Sequence, residues 1–151
     1  MDKYRDLLTS NGRRLEKAVQ NALLVLGIKT EETEEGFPVD LLGDNVAIEV
    51  TGTAGKIDTK SEKFNQIIRF IEDYRKNEKV ILVANTYKRL KPEDRKGKMN
   101  FTPAVEDFLE SRDVCLLTSQ TLFELWKDVK NGDKKKEFTI KKILDTRGEL
   151  H

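Results

Sequence analysis

Asp40 and Glu49 stand on either side of a short polar turn, Asp44-Asn45, within the segment FPVDLLGDNVAIEVTG that runs from Phe37 to Gly52. Two β-rich runs about such a turn signal a hairpin. With Asp44 and Asn45 as the turn residues, Gly43 pairs with Val46, Leu42 with Ala47, Leu41 with Ile48 and Asp40 with Glu49. The two carboxylates then face each other with Cβ atoms roughly 4.5–5.5 Å apart, where like charges destabilise a sheet. A divalent cation held by oxygens of both groups is the simplest compensation. The plain alternative for Asp40 is a solvated strand residue near a turn. Its place between Val39 and Leu41, opposite a second acid, favours metal binding. Glu49 is the stronger candidate, because it lies inside the apolar run Val46 to Val50, where an unpaired carboxylate is costly.

The elements that must position these groups follow from hydrophobic periodicity. Leu15, Ala18, Val19, Ala22, Leu23 and Leu26 form one apolar stripe of a helix over 11–26, capped by Ser10 or Asn11 and stopped by Gly27. A short strand is expected over 28–33, and the hairpin follows. Val46, Ile48 and Val50 share one face of its second strand, while Ala47, Glu49 and Thr51 share the other. In its first strand Val39 and Leu41 oppose Asp40 and Leu42. A second helix is expected from Thr59, with Thr59-Lys60-Ser61-Glu62 as a capping box and Phe64, Ile67, Ile68, Ile71 and Tyr74 as its buried stripe.

Val80 to Ala84 is apolar on both faces, as in a central parallel strand, and a polar loop over 87–100 follows. Then come a helix opened by Pro103, a buried strand over Val114 to Leu117, and a helix capped by Thr118 or Ser119 and ended at Asn131-Gly132. The lysine-rich extension, residues 133–151, holds one further short helix. Strands followed by alternating helices and strands indicate an α/β fold with a mixed sheet between helices.

The 151 residues are expected to form one domain, 1–151, without repeats or a linker. Lys and Arg number 28 and Asp and Glu 27, so any nucleic-acid contact must rest on a local patch. The single cysteine, Cys115, sits in an apolar run and excludes an internal disulfide framework. No apolar stretch reaches membrane-spanning length, and Met1 to Asp6 lacks a signal-peptide core. The expected location is intracellular, in the cytoplasm. There is no cysteine-histidine cluster, P-loop or dinucleotide fingerprint.

Leu15-Glu16 in the first helix, Val39-Asp40, Ile48-Glu49-Val50-Thr51 and Gln66 together resemble the PD-(D/E)xK nuclease superfamily, which includes restriction endonucleases and Holliday-junction resolvases. The resemblance covers roughly residues 10–125 and implies a restriction endonuclease-like αβββαβ core. It implies metal-dependent hydrolysis of a phosphodiester, with Mg²⁺ or Mn²⁺ held by Asp40 and Glu49 and by Glu16 as an auxiliary ligand. Glu16 falls about 20° from Leu23 on a helical wheel, and a surface pairing with Arg13 is the equal alternative. The family usually carries a lysine two residues after the second acid, and here that position is Thr51. Thr51 can hydrogen-bond a water but brings no charge. The replacement cation is Lys56, in the loop after the strand, or Lys60 or Lys63 near the next helix start, with Lys56 and Lys60 preferred. Gln66 is expected to orient a water or touch a phosphate.

The loop bearing Lys88, Arg89, Lys91, Arg95, Lys96 and Lys98, with only Glu93 and Asp94 against them, is the best local nucleic-acid patch. Arg95 is its preferred member, since arginine contacts phosphate bidentately. A second cluster, Lys134 to Lys136 with Lys141 and Lys142, either extends that patch or is a solvated face. Trp126 reads as a core anchor, Thr118 and Ser119 as helix caps, and His151 has no evident partner.

The reading is therefore a Mg²⁺-dependent phosphodiesterase acting on DNA, working as a homodimer where two strands must be cut. Two alternatives stand beside it. One is a catalytically silent module of the same fold that binds nucleic acid or assembles with protein; the other is a regulatory protein-interaction domain.

Overall fold

The computed structural model describes residues 4–151; residues 1–3, the start of the stretch expected to carry no signal-peptide core, lie outside the described residues. The chain runs α1 (Asp6–Thr9), α2 (Gly12–Leu26), β1 (Thr30–Glu32), β2 (Leu41–Gly43), β3 (Val46–Gly52), α3 (Glu62–Asp73), β4 (Lys79–Asn85), α4 (Pro103–Ser111), β5 (Val114–Thr118), α5 (Ser119–Lys130), α6 (Lys136–Asp145) and β6 (Gly148–Glu149). The strands form one sheet in sequence order. β1, β2 and β3 are antiparallel neighbours, and β3 to β6 run parallel. The expected αβββαβ order is thus present in α2, β1–β3, α3 and β4. α1 and β6, too short to show a period, were not foreseen.

The sheet carries a core on each face. Val46, Ile48, Val50, Ile81, Val83, Cys115 and Leu117 pack beneath α1, α2, α5 and α6. Ala47, Val80, Leu82, Ala84, Val114 and Leu116 pack beneath α3 and α4. β4 is buried at every position, as its unbroken apolar run requires of a central parallel strand. Trp126 is a core residue at 7% exposure. Among the described residues no helix is long and apolar enough to cross a membrane.

Local chemistry explains the boundaries. α2 ends on Gly27 at φ 102, and the N–H groups of Gly27 and Ile28 return to the carbonyls of Leu24 and Leu23, closing the helix with a left-handed cap. β1 consequently starts at Thr30 rather than Ile28. The hairpin has the expected register, Gly43 with Val46, Leu42 with Ala47 and Leu41 with Ile48. Asn45 takes φ 62, a left-handed conformation that asparagine tolerates.

Two expectations are corrected. Val39 does not share a face with Leu41: the chain bends before β2, so Val39 joins the α3/α4 core while Leu41 joins the other. The second helix starts at Glu62 with Ser61 as N-cap and no side-chain capping bond, so the capping box at Thr59 is not formed. Its fully buried positions are Phe64, Ile67 and Phe70, while Tyr74 ends the helix at 41% exposure.

Candidate metal and nucleic-acid site

The bend before β2 decides the geometry of the acids. The ladder closes at Leu41 with Ile48, so Asp40 is not a ladder partner of Glu49. Instead the Asp40 N–H donates to Ile48 O at 3.1 Å, and the Val50 N–H donates to Asp40 Oδ2 at 2.9 Å. Thr33 braces the bend, its hydroxyl donating to Val39 O at 2.6 Å and its N–H to Asp40 O at 3.1 Å. A carboxylate thereby takes a backbone acceptor's role and is pinned beside Glu49, within hydrogen-bonding reach of it. The two acids meet as expected, by a route the alternation pattern did not contain.

Glu49 points to the α3/α4 face of the sheet, in register with Leu82 of β4, and its side chain is 2% exposed. Burial, and then the neighbouring Asp40, push its carboxyl up to about 10. Both effects favour the neutral, protonated form of Glu49 when no cation is bound. Its Oε1 is buried and has no hydrogen-bond partner. Gln66 Oε1, on α3, is likewise buried and unpartnered. Such orphaned oxygens are rare in folded proteins and mark a place where a donor or a cation is missing.

The cation that does reach the pair is Lys63, in the first turn of α3. Its Nζ lies 3.4 Å from Asp40 Oδ2 and 3.6 Å from Glu49 Oε2. Burial works against its charge, but Glu49 and Asp40 outweigh it and hold the ammonium above its usual range. Lys56 and Lys60 are exposed, and Lys60 precedes the helix, its N–H bound to Asp58 Oδ1 at 2.9 Å. The preference for those two lysines is corrected by this placement. The signal for Lys63 was readable in the helix itself: Lys63, Gln66, Ile67 and Phe70 fall at i, i+3, i+4 and i+7, one face of α3. Drawing the stripe through Ile68, Ile71 and Tyr74 hid it.

Glu16 of α2 is half-buried, and burial followed by Asp40 raises its carboxyl. It is not the partner of Arg13, which pairs with Glu32 at 3.2 Å. Thr51 lies two residues past Glu49 on β3, beside Ala84 of β4, and carries no cation.

Among the described residues no group of three or more His, Cys, Asp or Glu side chains gathers as a metal cage. Asp40, Glu49 and Glu16 thus do not gather as a three-acid set, which leaves a pair of carboxylates, a number that Mg²⁺ accepts because it keeps several waters. Asp40 and Glu49 fit such an ion. They supply hard oxygens, one of them an orphan, and the charge of a cation would displace the Glu49 proton.

The basic loop divides. Arg95 is corrected outright: at 7% exposure its guanidinium donates to Leu90 O, Asn85 Oδ1, Leu8 O and Lys88 O. It is a clamp between the loop and α1, not a phosphate contact. Arg89, Lys96 and Lys98 are exposed and Lys88 half-buried. The Lys88 backbone N–H is bound to Thr53 O, just past β3, at 3.0 Å. Lys96 and Lys98 border a cleft of about 980 Å³ at the carboxyl ends of β4 and β5. Glu106, Asp107, Glu124 and Glu149 also line it, so acids are in excess and it is not a phosphate groove.

No family model matches the chain, and no curated protein matches it in sequence. Two solved structures match it in fold. The restriction endonuclease FokI bound to DNA superposes with a TM-score of 0.63 at 14% identity, over 99% of this chain. The restriction endonuclease FokI superposes with a TM-score of 0.58 at 13% identity, over 97%. This chain spans 30% of the length of each of those chains. The fold is thus that of a restriction endonuclease segment: a mixed sheet flanked by helices.

Proposed function

We propose that this chain is a metal-dependent nuclease that hydrolyses phosphodiester bonds of DNA. The observation that carries the reading is the buried Asp40–Glu49 pair, with an orphaned Glu49 Oε1 and Lys63 within 3.6 Å. Asp40 and Glu49 would hold Mg²⁺ or Mn²⁺, with Glu16 as an auxiliary ligand. The ion would supply Lewis-acid polarisation of the phosphoryl oxygen and a bound water of lowered pKa. Lys63 does what the lysine missing at Thr51 would do, presenting a positive charge and N–H donors beside the acids. Asp40 keeps its orientation through Val50 N–H, and Gln66 Oε1 accepts a hydrogen bond from the attacking water. The likeness to an endonuclease that binds DNA supports a nucleic-acid substrate. Lys88 and Arg89 would give the loop after β4 its phosphate contact.

One such centre cuts one strand, so duplex cleavage calls for two copies of a domain spanning 1–151, working in the cytoplasm. The competing reading, a silent module of the same fold, rests on Thr51 in place of lysine. Cleavage of labelled single-stranded, duplex and branched DNA with Mg²⁺ or Mn²⁺ separates them. The nuclease reading expects cutting that is lost in Glu49→Ala and in Lys63→Met. Retention of DNA without cutting on any substrate, unchanged by Glu49→Ala, would establish the silent module instead.

A further inference from the structure

A second charge cluster lies at the other end of the sheet, where the connections α3–β4, α4–β5 and α6–β6 converge. They surround a cleft of about 520 Å³ whose charged lining is Arg75, Lys76, Lys79, Arg112 and Arg147 against Glu78 and Asp113. Part of this set is architectural. Arg75 donates to the carbonyls of Glu78, Arg112 and Asp113, and Lys79 Nζ donates to Asp113 Oδ1 at 2.6 Å and Thr146 O at 2.8 Å. Cations that bind carbonyls just past helix ends stabilise those ends.

That role accounts for Arg75 and Lys79 and leaves three cations over. Lys76 is exposed. Arg112 stacks on the Phe108 ring at 4.8 Å, which leaves its N–H edge outward. Arg147 touches Asp113 through Nε at 3.3 Å and is 62% exposed, so its terminal nitrogens are open to solvent. Asp113 pairs with Lys79 and with Arg147 Nε, and Glu78 Oε1 accepts the Lys76 backbone N–H at 2.8 Å, so two acids stand against five cations in the lining. Burial pushes the Asp113 carboxyl up, but Lys79, Arg147 and Arg75 outweigh it and hold it ionised below its usual range. A concave surface with five cations against two acids, a net surplus of three, is complementary to an oxyanion, and Lys76, Arg112 and the terminal nitrogens of Arg147 are the groups left to meet it.

We infer that this cleft at the amino ends of β4 and β5 binds a phosphoryl group through Lys76, Arg112 and Arg147. The group is not the scissile phosphate. Arg75 lies twelve positions after Lys63, just past the end of α3, about 18 Å away at the helical rise, or about five steps of a B-form strand. The phosphoryl group comes either from a nucleic-acid backbone remote from the cut or from a small phosphate compound, and the inference does not depend on the nuclease reading.

The experiment measures binding of inorganic phosphate by calorimetry and of a short duplex across a salt series. It compares wild type, Arg112→Gln with Arg147→Gln, Lys76→Glu and Glu49→Ala, with no divalent metal present. Phosphate binding that the double variant loses and Glu49→Ala keeps would establish the site. A fall of about 1–2 in the log–log salt slope for duplex binding would assign it to the backbone. An unchanged slope with lost phosphate binding would assign it to a small phosphate compound. Lys76→Glu, altered only at an exposed side chain, should move the same readouts in the same direction. If neither phosphate binding nor the slope moves in either variant, the inference is overturned. Loss of cutting in Glu49→Ala is read in a different assay, so the two readings fail separately.

Discussion

Two ionised clusters lie on one sheet, and they are built in opposite ways. At the hairpin end, Asp40 and Glu49 meet one cation, Lys63; one carboxyl is pushed up to about 10 and one of its oxygens has no partner. At the other end, Asp113 meets Lys79 and Arg147, and it is held below its usual range. The Lys79–Asp113 pair satisfies turns and helix ends, so its charges are explained by the fold. In the Asp40–Glu49 pair only Asp40 has a structural partner, the Val50 N–H; the buried Glu49 carboxyl, with its orphaned Oε1, is not explained by the fold. Charge burial alone does not distinguish a site from a strut; an unmatched excess and an orphaned atom do.

The difference is open to mutation. The largest effect expected is on cutting: Glu49→Ala lowers metal-dependent cleavage by at least about 100-fold, and Lys63→Met by about 100-fold, as removal of a metal ligand and of a water-orienting group should. Initial rates on labelled duplex DNA measure both. Stability should move the other way at Glu49. Its folded carboxyl lies near 10 against an ordinary 4.5, so the folded state holds the proton more tightly than the unfolded chain. The stability this group contributes is therefore full below about pH 4.5 and declines as pH rises toward 10. Glu49→Gln, which keeps the hydrogen bond without the proton, should stabilise the metal-free protein by about 3 kcal/mol at pH 7 and by less than about 1 at pH 5. Paired denaturant melts at the two pH values decide it, and equal gains at both would contradict the protonated Glu49.

At the other cluster the order of effects reverses. Lys79→Met removes a buried ammonium and leaves Asp113 to Arg147, and it should destabilise by about 2–3 kcal/mol with cutting preserved in the folded fraction. Lys63→Met should destabilise by less than about 1 kcal/mol, since Lys63 is a third exposed and Val50 N–H still holds Asp40. The smallest effect expected is on the loop. Lys88→Gln should lower the salt slope of DNA binding by about 1 at unchanged stability. Arg95→Gln should instead lower stability by about 2 kcal/mol, because four carbonyl or amide oxygens lose their donor. Melts and salt-series binding on the two variants separate clamp from contact.

Much of the fold was readable because periodicity reports burial directly. The stripe of α2, the unbroken run of β4, the short buried strand β5 and the hairpin register all lay in residue order. What was not readable depended on contacts between distant residues. The bend that takes Val39 to the opposite core is set by Thr33 and by Val50 N–H on Asp40, neither a local signal. Arg95 looked like a phosphate contact because its neighbours are basic. Its burial comes from α1, too short to show a pattern, which brings Leu8 O to the guanidinium 87 residues away. Asp40 and Glu49 stand out in the sequence as like charges paired across a hairpin; the ladder ends at Leu41 with Ile48, and it is the bend held by Val50 N–H that brings the two carboxyls together. Lys63, one of three candidate lysines, was not the preferred one, because the buried stripe was drawn through Ile68, Ile71 and Tyr74, away from the face it shares with Gln66, Ile67 and Phe70.

The most direct test of the account is calorimetric titration of the cation-free protein with Mn²⁺ at pH 7, wild type against Glu49→Gln. The account predicts one site in the wild type with release of a proton as the metal enters, and no binding in the variant. Binding of equal strength in both, or binding without proton release, would contradict the claim that Asp40 and a protonated Glu49 form the metal site.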